Sequence, residues 1–139
     1  MKTIEKDIIV IGSGPGGYAA AFYLADHGRN VMLVEKEDLG GVCLNRGCIP
    51  SKALLNMTSL IDKAENYKKK GIDFGKPKIN IDQMRDWKQS VIAKLQGGIA
   101  ALAKARKVEV VQGNAIFDSS DTIRIETNKG QTFYTFNQA

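Results

Sequence analysis

The strongest constraint on this chain is a run of glycines set directly after an apolar segment: Asp7-Ile-Ile-Val-Ile-Gly12, then Ser13-Gly14-Pro15-Gly16-Gly17. A continuous apolar run of this length reads as a strand buried on both faces of a parallel sheet. The Ala-rich stretch from about Pro15 to His27 reads as a helix closed by Gly28 at its C′ position. Val31 to Glu35 is a second buried strand. Strand, helix and strand within about 30 residues require a parallel pair joined by a right-handed crossover.

The spacing of the glycines gives each a task. Gly12 permits a tight turn, Gly14 lets a pyrophosphate approach the backbone, and Gly17 lets helix and strand pack closely. An anion there would sit on the free N–H groups of the helix, where the dipole favours it. Ser13 and Pro15 lie inside the same candidate site. Glu35 ends the second strand, 18 residues beyond Gly17. A carboxylate at that place accepts hydrogen bonds from both ribose hydroxyls and repels a 2′-phosphate. The pattern implies an adenine dinucleotide, without separating NAD from FAD.

The segment Gly40-Gly-Val-Cys43-Leu-Asn-Arg-Gly-Cys48-Ile-Pro-Ser-Lys52 carries both cysteines of the chain. Five residues apart in a regular helix, two Cα atoms are roughly 8–9 Å apart, whereas a disulfide tolerates at most about 7 Å. If the two bond, Cys43 must lie outside regular helix, and Gly40, Gly41 and Gly47 supply the backbone freedom. Pro50 suits the first turn of a following helix. Cys48 would then stand near a helix N-terminus, where a thiolate is stabilised. A metal reading fails on ligand count, since the chain has two cysteines and one histidine, His27, at a distance.

Farther on, Leu54, Met57, Ile61 and Ala64 share one face of a helix that Gly71 ends. A second helix is expected from about Ile81 to Ala105, with Asn80 and Gln83 as a capping box. Its expected buried stripe is Met84, Trp87, Val91, Leu95, Ile99 and Leu102, with a bend at Gly97-Gly98. Then the period becomes alternating. Val108 to Gln112, Ile116 to Phe117, Thr122 to Thr127 and Gln131 to Phe136 read as strands. Asp118 to Asp121 and Asn128 to Gly130 supply the turns of an antiparallel meander. The expected fold is α/β: a Rossmann-like three-layer domain, with a parallel sheet plus an antiparallel meander.

The string G-G-x-C-x-x-x-x-C-x-P-S-K after such a unit resembles the pyridine nucleotide–disulfide oxidoreductases. The finer string Gly-Gly-Val-Cys-Leu-Asn-Arg-Gly-Cys-Ile-Pro-Ser-Lys-Ala-Leu-Leu is most similar to the dihydrolipoyl dehydrogenase branch; glutathione reductases usually carry Val-Pro-Lys-Lys where Ile49-Pro-Ser-Lys52 stands. The stretches Gly97-Gly-Ile-Ala and Lys107 to Gly113 carry the same likeness, which thus spans essentially the whole chain.

That resemblance implies FAD as cofactor and a redox-active Cys43–Cys48 disulfide. Cys43 is the interchange thiol and Cys48 the thiol beside the flavin. Lys52 is expected near the flavin N5, the backbone of Ala115 at the adenine, and Lys36, Gly41 and Val42 complete the cofactor-binding set. The implied reaction takes dihydrolipoamide and NAD⁺ to lipoamide and NADH, serving 2-oxo acid dehydrogenase complexes through their lipoyl domains. Glutathione and mercuric reductases are rival members of the family, and a non-catalytic FAD-binding module is the rival outside it.

Members of the family are much longer than 139 residues. Residues 1–139 are therefore expected to be the N-terminal part of the FAD-binding domain. The NAD-binding and dimerisation domains, the histidine–glutamate base from the homodimer partner and an Ala-Thr-Gly turn are all expected to lie outside it. Such a piece is expected to be inactive alone. His27, at the end of the first helix, reads as a surface residue and no substitute for that base.

Composition removes other classes. The net charge of +5 does not indicate nucleic acid: Lys68, Lys69 and Lys70 cluster at a helix end, where cations favour the dipole, and no nucleic-acid-binding motif accompanies them. No apolar run reaches membrane-span length, and no signal peptide is read at the N-terminus. The expectation is a cytoplasmic protein of cell redox homeostasis, where paired cysteines are seldom structural.

Overall fold

A computed structural model describes residues 3–138. Strand β1 (Ile4–Ile11) runs into the glycine loop and helix α1 (Pro15–Asp26), which returns to strand β2 (Val31–Glu35). Gly28 closes α1 with a left-handed φ of 79°, the conformation its C′ position requires. β1 and β2 are parallel, with Ile9 opposite Met32. The cysteine segment forms a short helix, α2 (Gly41–Arg46), and then a long one, α3 (Cys48–Lys68). Helix α4 (Ile81–Ala105) leads to β3 (Glu109–Gln112), β4 (Asn114–Phe117), β5 (Thr122–Thr127) and β6 (Gly130–Gln138).

The six strands are ordered β3-β2-β1-β6-β5-β4. β2 pairs with β3, and β1 with β6, in parallel. β4, β5 and β6 form the antiparallel meander. Alternate residues of the parallel strands then face two different layers. Val31 and Leu33 pack with Ala21 of α1, Ala103 of α4 and Val108. Ile9, Met32 and Val34 pack with Ile123 and Ile125 of β5 and Tyr134 of β6. Helices thus cover one face and the meander folds over the other, giving the three layers expected. Among the described residues no helix is long and apolar enough to cross a membrane.

Two expectations need correction. The strand at Val108–Gln112 belongs to the parallel sheet, not to the meander: it pairs with β2, Leu33 opposite Val110. Alternation of side chains is the same in both kinds of pairing and cannot distinguish them. The stripe on α4 is also displaced. Its buried residues are Ile92, Ile99 and Ala103, while Trp87, Leu95 and Leu102 are exposed. The helix is apolar around more than one face, and the face against α1 and α2 is the one covered. Asn80 caps α4, its Oδ1 accepting from the Gln83 N–H. The helix runs unbroken through Gly97 and Gly98.

Candidate active site

The glycine loop is shaped from inside. Gly12 has φ of 93°, and a Cβ on Gly17 would lie 1.8 Å from the Gly12 carbonyl oxygen. Only glycine permits that contact between helix and strand. Around Gly14 a Cβ would meet nothing within 4 Å, so the loop is open on the side where a ligand could approach. α1 has Gly14 as its N-cap, no side-chain cap and no acid in its first turn. Its leading N–H groups are left for an anion. That is the chemistry a dinucleotide pyrophosphate needs, and these residues fit it.

Glu35 is buried at the end of β2. Its Oε2 accepts from the Ser13 N–H at 2.8 Å and from the Ser13 hydroxyl at 2.6 Å. Its Oε1 accepts from the Glu37 N–H at 2.9 Å. The Ser13 hydroxyl in turn accepts from the Gly40 N–H at 3.0 Å. A carboxylate has about four acceptor positions, so Glu35 retains capacity for one further donor. Ser13 has both its donors engaged with Glu35; it braces the acid and joins it to the cysteine segment.

That segment sits directly against the glycine loop. Gly41 has φ of 67°, and a Cβ there would lie 2.7 Å from the Gly14 Cα. Cys43 and Cys48 are joined as a disulfide with Cα atoms 4.8 Å apart. Contrary to expectation, Cys43 does lie in helix, but in a separate one. Gly47, at φ −127° and ψ −108°, breaks the chain between α2 and α3, and that break closes the distance. A side chain at Gly47 would press on Cys43, since its Cβ would lie 3.3 Å from the Cys43 Cα. Cys48 opens α3 with no side-chain cap, as expected for a thiolate-stabilising position. Pro50 falls in the same first turn. Lys52 follows Cys48 by one helical turn, and both are exposed. Cys43 is half-buried, so Cys48 is the more exposed residue of the pair.

The remaining candidates are more dispersed. Val42 is exposed beside Cys43. Lys36 lines a cleft of about 690 Å³ with Gly113 and Asn114. Ala115 follows them on β4 and packs on the core under the meander. The sequence reading missed Asn45, whose side chain forms the densest hydrogen-bond cluster near the disulfide. An asparagine inside a short helix, a locally unfavourable place for it, was the available signal.

The family model described as pyridine nucleotide-disulphide oxidoreductase matches residues 6–137. The chain is 48% identical over 139 residues to a dihydrolipoyl dehydrogenase of Vibrio cholerae serotype O1, covering 99% of this chain and 29% of that protein. It is 51% identical over 123 residues to one of Haemophilus influenzae, covering 88% of this chain and 26% of that protein. It is 47% identical over 137 residues to one of Bacillus subtilis, covering 98% and 29%. The chain thus spans less than a third of the length of the curated relatives it matches.

Proposed function

Since the chain belongs to the pyridine nucleotide-disulphide oxidoreductase family, we propose that residues 1–139 are the FAD-binding, disulfide-bearing part of a dihydrolipoyl dehydrogenase. The observation that supports this most is the placement of the Cys43–Cys48 disulfide. It stands at the start of α3, on a segment seated against the glycine loop through Gly41 and Gly14. A disulfide built only for stability would have no reason to adjoin a dinucleotide loop.

In this reading a thiolate of dihydrolipoamide attacks the Cys43 sulfur, and Cys48 leaves as a thiolate. The second substrate thiol then displaces Cys43 from the mixed disulfide. Cyclic lipoamide departs and both cysteines remain reduced, two electrons having passed to the protein. The uncapped N-terminus of α3 favours the leaving thiolate of Cys48. Gly12, Gly14 and the first turn of α1 would hold the FAD pyrophosphate, Glu35 a ribose hydroxyl, and Cys48 and Lys52 would face its ring. FAD, when bound, would accept the electrons and pass them to NAD⁺.

The proposed partners are lipoyl domains of 2-oxo acid dehydrogenase complexes and a second copy in a homodimer, with the cytoplasm as location. A reducing compartment agrees with a disulfide that cycles rather than one that staples. The test uses the oxidised protein, dihydrolipoamide and an alkylating reagent, read by mass. Both cysteines should become alkylated after dihydrolipoamide and neither before it. A disulfide that dihydrolipoamide leaves intact while glutathione opens it would reject this substrate.

A further inference from the structure

The segment that carries Cys43 is a poor helix on its own. α2 has six residues and no side-chain cap. Its N-cap Gly40 and first residue Gly41 both have left-handed φ, 98° and 67°. Isolated helices so short do not persist in water. External contacts must hold this one. Leu44 supplies part of them, buried against Ile92 and Ile99 of α4.

Asn45 supplies the polar part. Its Nδ2 donates to the Gly41 carbonyl at 2.8 Å and to the Leu39 carbonyl at 3.1 Å. The Asp38 carbonyl lies at 3.4 Å. An amide nitrogen has two protons, so the two shorter contacts are the bonds that count. Its Oδ1 accepts from Gln96 Nε2 at 2.6 Å. Gln96 stands on α4 between the two isoleucines that grip Leu44. One side chain therefore ties α2 to the loop before it and to the longest helix of the chain.

In the disulfide form Cys43 is also tied covalently to α3. In the dithiol form that tie is gone, and Asn45 and Leu44 must keep α2 in place. Resting on the reading of this disulfide as redox-active, we propose that Asn45, oriented by Gln96, is a positioning residue that holds the two thiols of the reduced protein at bonding distance. It acts through the backbone of α2. By keeping the thiols together it sets the thiol–disulfide equilibrium: a clamp that preorganises the dithiol favours its reclosure. Without the clamp the disulfide is the less affected form, and it becomes easier to reduce.

The test is equilibration in glutathione buffers. Two glutathione thiols reduce the protein disulfide, giving two cysteine thiols and one glutathione disulfide, with two electrons and two protons transferred. Trapping by alkylation and mass analysis gives the equilibrium constant. Asn45→Ala loses three neutral hydrogen bonds, two donated to backbone carbonyls and one accepted from Gln96, and the constant should shift about five- to tenfold toward the dithiol. Gln96→Ala should shift it the same way but less, and the double variant no further than Asn45→Ala, because Gln96 acts only through Asn45. A lowered urea midpoint with an unchanged thiol–disulfide constant would mean a merely structural role and would overturn the proposal. Should Asn45→Ala fail to fold, Gln96→Ala decides: no shift overturns it. If the wild-type disulfide resists glutathione while folded, the redox reading and this proposal fall together. If wild type exchanges and the variants match it, only the role of Asn45 falls.

Discussion

β2 is buried at all five of its residues, whereas α3, with 21, buries only Pro50. The two regions differ in what holds them. β2 lies between two strands and between two layers, so every side chain has partners. α3 and α4 lean on each other, with Leu55, Leu60, Trp87, Leu95 and Leu102 open to solvent. The comparison separates where the fold is secured from where the proposed chemistry is carried. Cys48 and Lys52 belong to the loosely covered helix, and Glu35 and Ser13 to the tightly covered strand and loop.

The difference should be largest in matched leucine truncations. Leu33 is fully buried and Leu60 is 69% exposed. Leu33→Ala should destabilise the protein by about 2–5 kcal/mol, transfer and cavity terms together. Leu60→Ala should stay within about 0.5 kcal/mol. Urea midpoints measure both. Equal losses would mean that the helical hairpin is as much a part of the core as the sheet.

A glycine pair sharpens the contrast by reversing its sign. Gly17→Ala drives a Cβ against the backbone oxygen of Gly12, which cannot rotate away. It should cost about 3 kcal/mol, the upper end for overpacking. Gly97, inside α4, has nothing within 4 Å of where a Cβ would go. Gly97→Ala should therefore stabilise by roughly 0.5–1 kcal/mol, since alanine is the better helix former. Thermal or urea unfolding of the two variants reads both signs. A destabilising Gly97→Ala would show that α4 is packed more tightly than its exposure indicates.

The same contrast explains what the sequence could reveal. The strand–helix–strand unit was legible because each glycine, the buried β runs and Glu35 satisfy local rules that agree with one another. The cysteine spacing was legible in what it required, a break from regular helix, though not in how the break is made. Gly47 resolves it by joining two helices, so that Cys43 is helical after all. The covered stripe of α4 is not legible in the sequence, because a helix apolar around more than one face does not specify which face is covered; that depends on where α1 and α2 lie. Nor is the pairing of β3 with the parallel sheet legible, because strand alternation carries no direction. The motif places Ser13 in the loop, and the fold adds what the motif cannot show, that its N–H and hydroxyl are bonded to Glu35.

The smallest predicted effect concerns two aspartates, one in a turn of the meander that covers the sheet and one in the loop after α3. Hydrogen bonds from the Ser119 and Thr122 hydroxyls hold Asp121 below the ordinary aspartate value of 3.8. The Gly75 N–H, aided by the Lys68 cation, does the same for Asp73. A carboxyl depressed on folding contributes stability that is fully present above its unfolded value. That contribution is lost as pH falls below 3.8 toward the folded value. Asp121 lies in the turn between β4 and β5, and its carbonyl accepts from the Phe136 N–H. Loosening that turn strains the meander that covers one face of the core. Asp121→Asn should therefore lower the urea midpoint slightly at pH 7, and the gap from wild type should narrow as pH falls below 3.8. Asp73 lies in the exposed loop after α3. Its replacement by asparagine should leave the global midpoint unmoved at either pH and instead speed amide exchange at Gly75. If Asp73→Asn moves the midpoint as far as Asp121→Asn, the loop unfolds with the core and the two regions are one cooperative unit.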